Sequence, residues 1–382
     1  MNFIYDLNNL YKAYLLSKKN SAWKTETQRY EMNWLTELSH LQNELLNKSY
    51  QTTKGVDFIL NERGKIRRIV GNRIKDRIVR HTLCDNILSP AVDKYLIYDN
   101  GASRKGRGIT FTRKRLLKHL RNYYHHNGSN GYILLMDFSK YYDNIQHSIV
   151  KEMFKNKIDS NTQWLLNLIL KDFEVDVSYM SDTEYSNCMH TCYNSIESPI
   201  CNQGKRYMPK SVNIGDQTSQ IIGIYYPHRI DNYIKIVRGI KYYGRYMDDS
   251  YIISNDKKLL NDILKNVISI ADELGLFINK KKTQIYKLSK GFRFLQNYYA
   301  LTETGRVIIK IKPKRLTSMR RKMKRIAVKI INGQLTADVL TELFKSWYNN
   351  YYSIMSGKQR DNICKLYNTL TEKIKDAAHS KR

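Results

Sequence analysis

The chain has 382 residues, 65 of them Lys or Arg against 35 Asp or Glu, a formal net charge of +30. With 42% hydrophobic and 12% aromatic residues, it is too apolar for a disordered basic tail and long enough for roughly two to three domains. Such a charge calls for a polyanionic partner, nucleic acid or an anionic membrane surface, because self-repulsion otherwise destabilises a compact chain.

The start has no basic, apolar leader and no run approaches the length of a membrane-spanning helix. Five cysteines, an odd number, make no disulfide framework, so a reducing cytoplasm is the expected compartment. Residues 1–50 read as mostly helical, with Trp34, Leu35, Leu38, Leu41, Leu45 and Leu46 at helical spacing. Residues 57–70 read as a hairpin turning at Asn61-Glu62-Arg63-Gly64. A helix is predicted from Asp76 to Leu88, ending before Pro90. Tyr132–Met136 is a short apolar run, as a buried central strand requires. Residues 175–213 are polar and poorly periodic and read as a surface insertion, hairpins at best. Within it Cys188, His190, Cys192 and Cys201 follow no zinc-ligand spacing and read as ordinary loop residues. Residues 236–254 predict two strands around Met247-Asp248-Asp249, and Asn261–Leu274 an amphipathic helix stopped by Gly275. After the strand-like Val307–Ile311 and Pro313, a basic helix carries the apolar stripe Leu316, Met319, Met323, Ile326 and Ile330. A helix pair near 336–350 and 357–375 closes the chain.

Two acidic sites stand out in this basic protein. Asp137 ends the apolar strand, and Asp248-Asp249 sit between two apolar segments. A turn between strands would hold both carboxylates at one sheet edge, beside the end of the strand that bears Asp137. Acids gathered in this way repel one another unless divalent cations neutralise them. Mg²⁺ takes one or two carboxylates and shares the rest of its shell with phosphates and water. A pair of such ions clamps the attacking and leaving oxygens of a phosphoryl displacement. That chemistry in a positive field suits a nucleotidyltransferase acting on nucleic acid.

The order of these segments resembles a reverse transcriptase. Tyr132–Ile145 looks like the family's motif A and Tyr246-Met247-Asp248-Asp249 like the YMDD box of motif C. Ile214–Gln220 resembles motif B, Glu273–Thr283 motif D, and Phe292-Arg293-Phe294-Leu295-Gln296 the primer grip, with Gln296 where Gly is usual. Ile214-Gly215 followed by Ser219-Gln220 is most similar to the diversity-generating retroelement type. The blocks Lys65–Ile69, Lys75–His81 and Ala102–Gly108 are similar to that type as well.

The resemblance implies an α+β right-hand polymerase fold: N-terminal helices and fingers over 1–125, an antiparallel-sheet palm over 126–300, and a helical basic thumb over 301–382. It implies Asp137, Asp248 and Asp249 as ligands of two Mg²⁺ (or Mn²⁺) ions. Lys282 would protonate pyrophosphate, a role that Lys280 and Lys281 also contest. Lys65 and Arg67 would hold the dNTP triphosphate, and alternation along their strand puts both on one face. Tyr142 would exclude a ribose 2′-OH, and Gly215, Gln217 and Ser219 would line the nascent base pair. Arg320, Arg321, Lys324 and Arg325 would follow the phosphates of an RNA–DNA duplex. The expected activity is RNA-directed DNA synthesis from a dedicated noncoding template RNA, helped by a small basic helical accessory protein and without a membrane. An antiphage defence reverse transcriptase is the alternative, and a catalytically inactive RNA-binding protein the reading from another class.

Overall fold

The computed structural model describes residues 3–62, 65–189, 198–202 and 204–379. His190, Cys192 and the hairpin tip Arg63-Gly64 lie outside the described residues, as does the Lys65 side chain. The chain divides into two compact units. The first comprises Met1–Leu116, Leu134–Ile252 and Asp256–Gln284; the second comprises Leu117–Ile133, Ile253–Asn255 and Ile285–Arg382.

The first unit opens with α1 (Leu7–Lys18), α2 (Thr25–Met32) and α3 (Trp34–Leu46). Of the periodic positions in α3, Leu38, Leu41 and Leu45 are buried and form the core face with Leu10, Trp34 is half-buried, and Leu35 and Leu46 lie exposed to either side of it. The hairpin follows as β1 (Val56–Glu62) and β2 (Lys65–Gly71), with Leu60 opposite Arg67 and Phe58 opposite Ile69. Then come α4 (Ile74–Leu83), a π turn (Cys84–Leu88) and α5 (Ser89–Asp93). The helical course thus runs on through Pro90, where the sequence predicts a stop. The π turn shifts the hydrogen-bond ladder just ahead of the proline, which then sits in the first turn of α5, where a missing N–H costs least.

After α6 (Ile109–Asn127), β3 (Tyr132–Met136) enters a sheet as the buried strand that its composition predicts. Next are β4 (Phe138–Ser139), α7 (His147–Phe154) and α8 (Ser160–Asp172). The stretch 175–213 corrects the expectation of hairpins at best. It holds β5 (Val175–Asp176), α9 (Asp182–Met189), β6 (Ile200–Asn202) and β7 (Lys205–Met208), with the three strands in the order β5-β7-β6. Val177, Tyr185, Met189 and Met208 form a small apolar core of their own. Four apolar residues spread over some thirty positions leave no periodic trace.

A nine-residue helix, α10 (Gln217–Tyr225), precedes α11 (His228–Asn232) and a second π turn at Tyr233–Val237. Ile236 and Val237 are therefore helical and exposed, not part of a strand. The hairpin β8 (Tyr243–Tyr246) and β9 (Asp249–Ser254) pairs Tyr246 with Asp249 across a two-residue turn, and β9 lies between β8 and β3 in the sheet. Met247 has φ +56°, the left-handed conformation that such a turn asks of its first residue. Then come α12 (Lys257–Glu273), capped by Asp256 and closed by Gly275 at φ +66°, and β10 (Phe277–Ile278), which pairs with β4.

The second unit takes up the chain within β11 (Gln284–Lys287) and carries the meander β12 (Phe292–Phe294), β13 (Asn297–Leu301) and β14 (Val307–Ile311). It ends in α13 (Pro313–Ile331), α14 (Ala337–Tyr351) and α15 (Gly357–His379). Leu316, Met319, Met323 and Ala327 of α13 join Leu340, Ile363 and Leu370 in one core, while Arg321, Lys324 and Arg325 are exposed and Arg320 is partly so. The helices and strands together make an α+β chain. Among the described residues no helix is long and apolar enough to cross a membrane.

Candidate active site

Asp137 directly follows β3, and Asp248 and Asp249 form the β8–β9 turn and the start of β9. Because β9 lies next to β3, the acids meet at one edge of the sheet. Asp137 is buried at 5% exposure and its carboxylate is held on several sides. Lys282 Nζ donates to both its oxygens at 2.8 and 2.7 Å, and Asn279 Nδ2 donates to Oδ2 at 3.1 Å. The Asn279 backbone N–H also donates to the Asp137 carbonyl at 2.8 Å. This double link pins the segment after β10 to the end of β3.

Burial, together with the negative charges of Asp248 and Asp137, pushes the Asp249 carboxyl up to about 7. Lys282 pulls it the other way but does not cancel them. Burial works against the Lys282 charge, but its bond to Asp137 and the nearby acids outweigh this and hold its pKa above the ordinary lysine value. An excess of buried negative charge is what a divalent cation relieves. Among the described residues no three His, Cys, Asp or Glu side chains converge as a ready-made metal cage. The contact pair is Asp137 and Asp249, with Asp248 at the turn beside them. So small a carboxylate set fits Mg²⁺, which completes its shell with water and substrate phosphates, better than an ion that needs an all-protein cage.

Tyr142 lies against this turn. Its hydroxyl is 3.5 Å from the Met247 sulfur, and a methyl group on Gly223 would meet Met247 at 3.2 Å and the Tyr142 hydroxyl at 3.3 Å. Burial and the Asp248 charge raise the phenol pKa, so the ring stays neutral. Neighbouring Tyr141 donates to the Gly223 carbonyl at 2.6 Å, which fixes α10 against this segment.

The other end of α10 faces the first hairpin. Gly215 has φ +102°, and a Cβ there would lie 3.4 Å from the Ile69 side chain. Arg67, two residues before Ile69, shares that face of β2. Gln217 opens α10 and donates to Asp85 at 2.7 Å. Ser219 is fully buried and its hydroxyl finds no partner among the described residues. A cleft of about 1030 Å³ runs past Gln217 and Gln220 on one side and Ser103, Arg104, Lys105 and Arg107 on the other. Tyr246 also lines it, one residue before the Met247-Asp248 turn, whereas none of the three acids does.

Two supporting residues escaped the sequence reading. Arg245 on β8 is 1% exposed and Asp231 is not exposed at all. Asp231 accepts from Arg245 Nη2 at 2.6 Å and from the Tyr243 hydroxyl at 2.6 Å. Arg245 also donates to the Met247 carbonyl at 3.0 Å and the Ile224 carbonyl at 2.7 Å. It thus braces the turn that presents Asp248. The available signal was a lone arginine in an otherwise aromatic strand, Tyr243-Gly244-Arg245-Tyr246.

The family described as reverse transcriptase (RNA-dependent DNA polymerase) matches residues 54–296, more than half of the chain. No curated protein matches it.

Proposed function

The chain belongs to the reverse transcriptase family and is an RNA-directed DNA polymerase, and we propose that Asp137, Asp248 and Asp249 are its catalytic acids. The observation that carries this is the contact of buried Asp137 with half-buried Asp249, with Lys282 bonded to Asp137 and Tyr142 packed on the turn that holds the other acids. The three acids would hold Mg²⁺, or Mn²⁺ in its place, and bound metal would supply charge neutralisation at the primer 3′ oxygen and the triphosphate.

The chain's own residues divide the remaining work. Lys282, kept protonated by its acidic surroundings, would give its proton to the departing pyrophosphate. Lys65 and Arg67 would hold the triphosphate from the hairpin. Tyr142, rigid between Met247 and Gly223, would leave no room for a ribose 2′-OH. Gly215 and Gln217 would meet the nascent pair by backbone and side chain. Ser219, being buried, would act through the position of α10. Arg320, Arg321, Lys324 and Arg325 would track duplex phosphates, which carry shape and charge but no sequence. In this reading residues 1–125 serve as fingers, 126–300 as palm and 301–382 as thumb.

The template we favour is a dedicated noncoding RNA copied in a diversity-generating retroelement, with a small basic helical protein assisting. The Ile214-Gly215 and Ser219-Gln220 pairs support that choice. Primer extension on a primed RNA with dNTPs and Mg²⁺ is the test, with Asp248→Ala reducing the rate at least about a thousandfold while the melting temperature holds. Equal activity of the variant would falsify the assignment. Errors concentrated at template adenines would support the retroelement type, and evenly spread errors the defence alternative.

A further inference from the structure

Asp216, in the turn before α10, is fully buried yet accepts hydrogen bonds from three separate elements. Its Oδ1 accepts from the Thr218 backbone N–H at 2.7 Å, capping α10. Its Oδ2 accepts from Arg80 Nε of α4 at 2.9 Å and from Asn72 Nδ2 at 2.6 Å. Asn72 immediately follows β2, the strand of Lys65 and Arg67. Arg80, 1% exposed, passes its other end to Asp172 of α8 at 3.0 Å, and the Phe173 ring lies under its guanidinium at 5.7 Å. One turn earlier on α4, buried Asp76 accepts from the Tyr50 hydroxyl and from the Thr53 backbone N–H, which fixes α4 against the chain that leads into β1.

The consequence is mechanical. The base of the hairpin and the Gly215 turn are distant along the chain, residues 72 and 216 lying 144 positions apart. A single carboxylate joins them. The Ile69 side chain stands close enough to the Gly215 turn that a Cβ there would touch it at 3.4 Å, so hairpin and turn are also neighbours in space. Arg80 and Asp216 are buried, out of a substrate's reach, while Asn72 is half-buried like Arg67 and Gln217 and has its side-chain amide turned to Asp216. They set where those two stand.

We propose that the Asn72–Asp216–Arg80 junction is a positioning device for the incoming nucleotide. It fixes the triphosphate-holding hairpin relative to the α10 turn and so governs nucleotide affinity and base discrimination rather than the chemical step. This inference rests on the polymerase reading of the hairpin and α10. It gives a role to the Lys75–His81 block, singled out in the sequence but left without a task.

Steady-state kinetics on a primed RNA test it. Asn72→Ala removes only the link between hairpin and turn. The expected result is a dNTP KM raised about tenfold, with kcat within about twofold, more misincorporation, and a melting temperature lowered by only about 2–6 °C. Asp216→Asn keeps the helix cap, because Asn caps as well as Asp, but loses the charge that Arg80 answers; it should raise KM further. Binding of a fluorescent dNTP analogue to the unreacting protein should weaken in parallel, a readout independent of turnover. Unchanged KM and analogue affinity in Asn72→Ala would overturn the proposal, as would a loss confined to kcat. Should Asp216→Asn fail to fold, Asn72→Ala decides alone. Wild-type protein that binds and extends nothing would refute the polymerase site assignment, a different outcome from wild-type activity with an indifferent Asn72→Ala.

Discussion

Two ion pairs in the first unit have nearly the same shortest N–O distance but differ in burial and in the number of bonds, and should differ severalfold in worth. Arg245 Nη2 lies 2.6 Å from Asp231, with side chains 1% and 0% exposed; Arg68 Nη2 lies 2.7 Å from Asp57, with side chains 71% and 51% exposed. Asparagine keeps the volume of aspartate, so replacement opens no cavity and the cost is chiefly electrostatic. Asp231→Asn leaves a guanidinium buried without its counter-charge, a change that costs about 3–5 kcal/mol. Asp57→Asn removes a pair that water already screens, worth about 0–1 kcal/mol. At about 2–4 °C per kcal/mol for a domain of this size, the first variant should melt roughly 6–20 °C lower and the second within about 4 °C of wild type. Urea unfolding followed by circular dichroism measures both. The buried variant should also lose primer extension more steeply than stability, because Arg245 holds the Met247 carbonyl of the acidic turn. A loss under about 1 kcal/mol for Asp231→Asn would show that water reaches the pair, and the account of a desolvated brace would fall.

Burial depresses the His147 pKa to about 4 from the ordinary 6.5, with the ring nitrogen 2.7 Å from the Ser211 carbonyl. Between those values the unfolded chain binds the extra proton, so stability is full above pH 6.5 and falls as pH drops toward 4. The acid-side loss from this group approaches about 3 kcal/mol; urea midpoints from pH 7 to 4 should show it, and His147→Gln should flatten the slope. Tyr142→Ala should let ribonucleotides in, raising the rNTP-to-dNTP ratio of kcat/KM at least about tenfold; an unchanged ratio would place the ring in packing alone. Arg321→Ala, Lys324→Ala and Arg325→Ala should each lower the slope of log affinity against log salt for an RNA–DNA duplex by about one, without changing the melting temperature. A slope equal to wild type in all three would remove α13 from the duplex interface.

What was legible in the sequence was local. Tyr132–Met136 shows as a strand because every residue in the run is apolar, and α12 shows its end because Gly275 supplies the positive φ that a helix stop needs. The acids show because carboxylates beside apolar strands are costly unless used. Gln296 is a telling case. With Leu295 at φ +42° and Gln296 at φ +71°, the β12–β13 turn takes left-handed residues at both central positions, the conformation that the family's usual glycine adopts without strain. The sequence showed the missing glycine but not that the backbone would keep its shape regardless. The buried carboxylates made the larger gap. Asp137 is answered by Lys282, 145 residues away, Asp216 by Arg80, 136 away, and Asp231 by Arg245, 14 away. No periodicity or spacing rule reports pairs of that kind, because only the closed fold brings them together. They matter most in a chain of net charge +30. The surface excess suits a polyanion, but these three cations each hold a carboxylate at or behind the candidate active site, Arg80 holding Asp172 as well as Asp216. Lys282 differs from the other two in being half exposed, at 53% against 2% for Arg80 and 1% for Arg245. An exposed ammonium on a flexible stem exchanges partners at little cost, whereas a buried guanidinium does not. The two arginines therefore belong to the frame, and Lys282 is the cation that we propose leaves its carboxylate for a substrate phosphate.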